Sequence, residues 1–255
     1  MRFLLSNDDG IDSPGLLILA QTMAELGEVF VVAPEKERSG GGHAITMHKP
    51  LRARPVLQQS GIHFWETSGT PADCVVIAVF DLLPQPPDLV ISGINRGPNL
   101  GEDLTYSGTV SAAMEAYLCD LPAFSISIDS FENPQWTVAA EVSKRLAGLI
   151  PLGHPLLLNV NVPNRPWSGI QGVQITRLGR RRYRDRLTKR CDPFGRTYYW
   201  VAGEPEEGSP AKGTDSYAVH HGYISVTPIS LDLTDYGTSP SLEPIRAKLE
   251  RSLGL

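Results

Sequence analysis

From the N-terminus to about residue 163, short β-branched or aliphatic runs alternate with longer amphipathic ones, a rhythm that few folds satisfy. A strand buried on both faces reads as a continuous apolar run, and a helix lying on a sheet reads with one apolar face. Strands are expected at Arg2 to Leu5, Val29 to Ala33, Leu89 to Ser92, Phe124 to Ile128 and Leu156 to Val162. Helices are expected between them, at Leu16 to Leu26, Ala72 to Leu83, Val110 to Leu118 and Trp136 to Leu149. The second helix opens Thr70-Pro71-Ala72-Asp73, a hydroxyl cap, a proline at the first helical position and an acid at the third. The predicted class is α/β, a mostly parallel sheet with helices on both faces.

After Gly169 polar and aromatic residues alternate, and Gly203 to Gly213 is rich in glycine, proline and glutamate. This reads as a C-terminal β-hairpin extension. A strand at Tyr223 to Val226 and a terminal helix near Leu242 to Leu253 close the chain. The expected division is a core at 1–168 and an extension at 169–255 that is not an independent domain.

At 255 residues, 41% hydrophobic, the chain can bury one large core. A net charge of −5 argues against broad attraction to nucleic acid or anionic lipid. Cys74, Cys119 and Cys191 lie far apart, without metal-ligand or disulfide spacing, so free thiols in a reducing compartment are expected. The opening MRFLLSNDDG reads as a buried strand and not a signal peptide, and no apolar run reaches membrane-spanning length. A cytoplasmic protein without a membrane partner is expected.

In open parallel sheets, ligands bind beyond the carboxyl ends of the strands, where helix N-termini present free N–H groups. Three glycine-rich polar segments follow strands: Ser6 to Gly10 (SNDDG), Pro34 to Ala44 (PEKERSGGGHA) and Gly93 to Thr109 (GINRGPNLGEDLTYSGT). The adjacent Asp8 and Asp9 would repel a phosphate placed directly on a helix N-terminus, a conflict that a divalent cation removes. An isolated Asp-Asp pair serves equally as a helix cap or a solvated turn. Ser39 and the three glycines after it can curl around an anion, bring a hydroxyl to a metal, or form a plain surface turn. Asn95 and Asn99 stand at i, i+4 in a loop longer than about 12 residues, the kind that is usually functional or disordered. Ser107-Gly108-Thr109 then opens an apolar helix. His220-His221 could donate a proton to a leaving group or be structural.

Between Arg177 and Arg196, nine Lys/Arg face two Asp inside an acidic chain, with Tyr183, Phe194, Tyr198, Tyr199 and Trp200 interleaved or following. Such a segment can guide phosphates and stack bases, or be a solvated arm.

The N-terminal SNDDGIDSPG, the APEKERSG loop and above all SGINRGPNLGEDLTYSGTVSAAMEA closely resemble the SurE family of survival-protein nucleotidases. The likeness runs to about residue 130 and resumes at Gly213-Thr214-Asp215 and Gly222 to Pro228. It implies a Rossmann-like α/β phosphomonoesterase acting on nucleoside 5′- and 3′-monophosphates, with short polyphosphate as a further substrate. It also implies one divalent metal ion per subunit, Mg²⁺ or Mn²⁺, on Asp8, Asp9, Ser39 and Asn95. The phosphate site it implies comprises Ser39, Gly40, Asn95, Asn99, Ser107, Gly108 and Thr109, with Asp8, Asp9, Asn99 and Ser107 catalytic. After Gly40 this chain reads Gly41-Gly42-His43-Ala44, where many relatives carry small hydroxyl residues, so His43 either takes over that contact or faces solvent. The resemblance further implies a homodimer or homotetramer with exchanged C-terminal segments, and no stable nucleic-acid partner.

A receiver domain also pairs acids after its first strand, but its acceptor aspartate and later lysine are missing here: Gly93-Ile94-Asn95 follows the middle strand, and no lysine lies between Lys49 and Lys144. A phosphoaspartyl phosphatase would need Asp-x-Asp, whereas the chain has Asp8-Asp9-Gly10. A non-catalytic nucleotide- or RNA-binding module resting on 177–196 is the remaining alternative.

Overall fold

The computed structural model describes residues 1–255 except 57–60, 182, 185–186, 202, 206–209 and 254–255. Its elements run β1 (Arg2–Ser6), α1 (Pro14–Met23), β2 (Glu28–Pro34), β3 (Ala53–Pro55), β4 (Ile62–Thr67), α2 (Pro71–Ile77), β5 (Leu89–Arg96), α3 (Gly108–Leu118), β6 (Ala123–Asp129), α4 (Trp136–Ala147) and β7 (Leu157–Pro163). There follow β8 (Gly172–Ile175), β9 (Tyr183–Arg184), β10 (Leu187–Cys191), β11 (Thr197–Val201), β12 (Glu204–Pro205), α5 (Asp215–His220), β13 (Tyr223–Pro228) and α6 (Glu243–Leu253).

Nine strands form one sheet in the order β3-β4-β2-β1-β5-β6-β7-β13-β8. From β4 to β7 all neighbours are parallel, and β3 and β13 run antiparallel to β4 and β7. One face buries Phe3, Leu5, Val29 and Ile91 beneath α1 and α4; the other buries Leu4, Phe30, Val32 and Val90 beneath α2 and α3. Successive residues of β1 thus enter opposite cores, which is why its run is continuously apolar. The fold expected from sequence, a mostly parallel sheet covered on both faces, is the fold present.

The predicted start of the second helix is also present. Thr70 accepts from the Asp73 amide at 3.1 Å, and Asp73 accepts from the Thr70 amide at 2.8 Å, closing a capping box with Pro71 in the first turn. This helix does not run unbroken to Leu83: it stops at Ile77 and continues as a π-helical turn over Ala78–Leu82. Two strands had no counterpart in the sequence reading, β3 and β4. The pattern of β4, Ile-His-Phe-Trp-Glu-Thr, alternates because the strand lies near an edge, and its imidazole and indole stack with Phe30 along one face.

Beyond Gly169 the hairpin of β10 and β11 is present, while β13 and β8 extend the central sheet. Of the basic segment, 182 and 185–186 lie outside the described residues. Arg181 folds back onto the loop before α3, its guanidinium 2.9 Å from Asp103. No helix among the described residues is long and apolar enough to cross a membrane.

Candidate active site

The sheet order places β1 between β2 and β5, so the chain crosses to opposite sides after β1, and the crevice at that switch point opens beyond the carboxyl ends of β1 and β5. The first two predicted loops meet there. Asn7, fully buried, shapes the turn that carries the two acids: its amide nitrogen donates to the Gly10 carbonyl at 2.9 Å, and its oxygen accepts from the Gly10 amide at 3.2 Å. Gly10 adopts φ +101° and packs against the backbone of Lys36 and Glu37, where a side chain would be strained. The Ile11 amide donates to Pro34 at 2.9 Å and the Arg38 amide to the Asp8 carbonyl at 2.7 Å, locking the two loops together.

Asp8 is 5% exposed, and the Thr109 hydroxyl donates to its Oδ1 at 2.5 Å. Gly108 begins α3 against the same carboxylate; a β-carbon on it would lie 2.7 Å from Asp8 Cβ and 2.9 Å from Oδ2. The missing side chain is therefore what lets the helix N-terminus reach the acid. Burial pushes the Asp8 carboxyl up, opposed by the Thr109 hydroxyl and by backbone amides. Asp9 is pushed up to about 6, first by burial and then by the neighbouring Asp8 charge, against the pull of the Arg96 backbone amide and guanidinium. Glu37 raises both acids further. The Asp9 Oδ2 atom is buried and unpartnered among the described residues.

Asn95 comes to this centre on a bulge in β5, where the register against β6 shifts between Ser92 and Asn95. Its amide nitrogen donates to Gly97 at 2.7 Å, which leaves the amide oxygen as the free end. Ser39 arrives beside Arg38 but is exposed, and its hydroxyl donates to Glu37 at 2.7 Å rather than to either aspartate. Gly40 has φ +73° and open space around it. Ser107 caps α3, accepting from the Val110 amide at 3.1 Å.

Asn99 and Thr109 already have partners within the chain, Thr109 on Asp8. The Asn99 amide nitrogen donates to Ser127 at 2.8 Å, its carbonyl accepts from Asn159 and Asn161, and its own amide donates to Asn161 at 2.8 Å. His43 lies exposed at the surface, where it pairs with Glu115 of α3 at 2.8 Å. His221 stacks on Tyr217 at 4.0 Å, and His220 meets it edge-on. Sequence reasoning missed the Thr109 hydroxyl as the group that orients Asp8, Glu37 and Arg96 as the charges around Asp9, and Asp215. Buried Asp215 accepts from the amides of Gly101 (2.7 Å), Gly179 (2.8 Å) and Ser216 (2.7 Å), tying the loop before α3 to the chain after β8. The Asn7 clamp had a legible signal, an asparagine three residues before a glycine.

Compared with known proteins, residues 3–185 match the family model described as Survival protein SurE. The chain belongs to the SurE family. A relative from Heliobacterium modesticaldum named 5′-nucleotidase SurE is 50% identical over 92% of this chain and 88% of its own length. One of the same name from Desulforamulus reducens is 49% identical over 95% and 97%. The crystal structure of the SurE protein from Aquifex aeolicus superposes with a TM-score of 0.83 at 41% identity, over 96% of this chain and 100% of that one.

The SurE centre described above fits a hard cation. Two desolvated carboxylates side by side repel one another, one carboxylate oxygen lacks a partner among the described residues, and the end of Asn95 left free is an amide oxygen.

Proposed function

We propose that this chain is a divalent-metal-dependent phosphatase that hydrolyses nucleoside 5′-monophosphates to nucleoside and phosphate. The observation that carries the reading is the unpartnered Asp9 Oδ2 beside Asp8, at the switch point and against the N-terminus of α3. The relatives named 5′-nucleotidase supply the substrate class. Nucleoside 3′-monophosphates and short polyphosphate present the same terminal phosphoryl group and fall within the proposal.

Asp8, Asp9 and the Asn95 oxygen would hold the cation, joined by Ser39 once its hydroxyl leaves Glu37. Bound there, Mg²⁺ or Mn²⁺ supplies positive charge to the transferring phosphoryl group and acidifies water. The chain's own part is positional. Thr109 keeps Asp8 in one rotamer, Asn7 fixes the turn that sets both acids, and Gly108 brings the helix N-terminus close enough for its first N–H groups to meet charge developing on phosphate oxygens. Arg96, exposed beside Asp9, is a second source of positive charge at the mouth.

Free cysteines and the absence of a spanning helix among the described residues support a cytoplasmic location. In α6, Ile245, Leu249 and Leu253 lie exposed on one stripe, which supports a homodimer or homotetramer made by C-terminal exchange, with 169–255 serving the 1–168 core as its oligomerisation extension.

The test is phosphate release from AMP with Mn²⁺, before and after chelation, for the native chain and Asp8→Asn. Chelation and the substitution are each expected to remove at least about 100-fold of activity. Activity surviving both sinks the metal mechanism. No phosphate release together with steeply salt-dependent RNA binding would favour the binding-module reading of 177–196.

A further inference from the structure

Phe131, in the loop after β6, is 72% exposed, an unusual place for a phenyl ring. One edge of the ring lies on Gly97: a β-carbon there would stand 2.3 Å from Cε1 and 2.6 Å from Cζ, so only glycine leaves room for the ring. Gly97 stands two residues past Asn95 and accepts the Asn95 amide through its carbonyl at 2.7 Å. Two residues of chain span at most about 7 Å. The ring thus rests on the same short segment that carries Asn95 and Arg96.

Its loop is built to hold it. The Gly97 and Ser130 amides both donate to the Ile128 carbonyl, at 3.0 and 2.7 Å, zipping the loops after β5 and β6 together. The Glu132 amide donates to the Ser130 hydroxyl at 3.1 Å. Asn164 accepts from the Gln135 amide at 2.7 Å and donates to the Asn133 carbonyl at 3.3 Å, pinning the far end. A ring with only two side-chain torsions on a fixed loop loses little entropy when a ligand covers it.

We propose that Phe131 is the platform on which the nucleobase of a bound nucleotide stacks, an inference that rests on the nucleotidase reading. A phenyl face offers no hydrogen bond, so the subsite reads the presence of a flat aromatic base and not its identity. Purine and pyrimidine nucleotides are both accepted, and phosphate esters without an aromatic group lose the contact.

The experiment compares AMP with glycerol 2-phosphate for the native chain, Phe131→Ala, Phe131→Trp and the control Phe80→Ala. Phe80 is equally exposed, in the π-helical turn at the end of α2 remote from the site. Phe131→Ala is expected to raise KM for AMP about tenfold, within the range of base-on-aromatic stacking, while leaving glycerol 2-phosphate unchanged. Phe131→Trp restores the AMP value, and Phe80→Ala changes neither. Equal shifts for the two substrates, or no shift for either, overturn the platform.

Calorimetric titration with AMP separates this inference from the nucleotidase reading. A native chain that binds AMP without releasing phosphate sinks the nucleotidase reading, and the platform is then judged by whether Phe131→Ala weakens that binding. A native chain that neither binds nor cleaves AMP overturns both.

Discussion

Thr109 donates its hydroxyl proton to Asp8 across 101 residues of chain, at 2.5 Å, from the first turn of a helix on one side of the switch point to the turn after the first strand on the other. A hydrogen bond to an ionised group is about twice as strong as a neutral one, and this one is wholly buried. Thr109→Val keeps the shape and removes the donor. It is expected to lower kcat for AMP at least tenfold with a stability loss of about 1–3 kcal/mol, whereas Thr109→Ser retains most activity. Steady-state kinetics beside denaturant unfolding of both variants measure the two effects.

Gly108→Ala sets two effects against each other. Alanine gains about 1 kcal/mol of helix propensity, and crowding against Asp8 costs about 1–3 kcal/mol. Stability should therefore fall by up to about 2 kcal/mol, while displacement of Asp8 lowers kcat/KM for AMP about 100-fold. A variant with native kinetics would show that the close approach is dispensable.

Burial and the Asp8 charge push the Asp9 carboxyl up to about 6, above its ordinary value of 3.8, so the folded chain holds that proton more tightly than the unfolded chain does. Its contribution to stability is present below pH 3.8 and is lost as pH rises through 6. With chelator present, the melting temperature of the native chain should fall across this window relative to Asp9→Asn. Because cation and proton compete for the same carboxylate, added Mn²⁺ should raise the melting temperature more at pH 7 than at pH 5. Identical pH profiles for the two proteins would count against the raised Asp9.

Asp215→Ala leaves three backbone amides without their acceptor in a buried place. A loss of at least about 3 kcal/mol is expected in denaturant unfolding. Hydrogen exchange should quicken at Gly101 and Gly179 first, since their loops lose their common anchor.

Much of the fold was legible because each buried parallel strand is a local signal. Leu4 and Leu5 enter opposite cores, and the run around them is apolar whatever lies next to it. The capping box at Thr70 and Asp73 is likewise contained in four residues. Strands near an edge carry a weaker signal, and β4, next to the edge strand β3, alternates buried and half-buried residues instead of running continuously apolar. At the site, residue types and loops could be read, but directions could not. Nothing near Thr109 says that its hydroxyl meets Asp8, and nothing near Asn99 says that its amide turns to Ser127. Those partners are set by sheet order. Ser39 shows the same limit on a smaller scale, its hydroxyl held by a glutamate two residues away.

The position of β1 also bears on how the chain is made. Its first partner, β2, follows closely in sequence, but its second, β5, begins only at Leu89. At ribosomal speeds of roughly 5–20 residues per second, the second edge of β1 stays open for on the order of 3–10 seconds after β2 is complete. Throughout that interval a nascent chain displays an apolar strand with unpaired backbone groups, ready to pair with the wrong neighbour. Chains released before residue 89 should therefore aggregate, and the passage most dependent on a holdase is the synthesis of the stretch between β2 and β5.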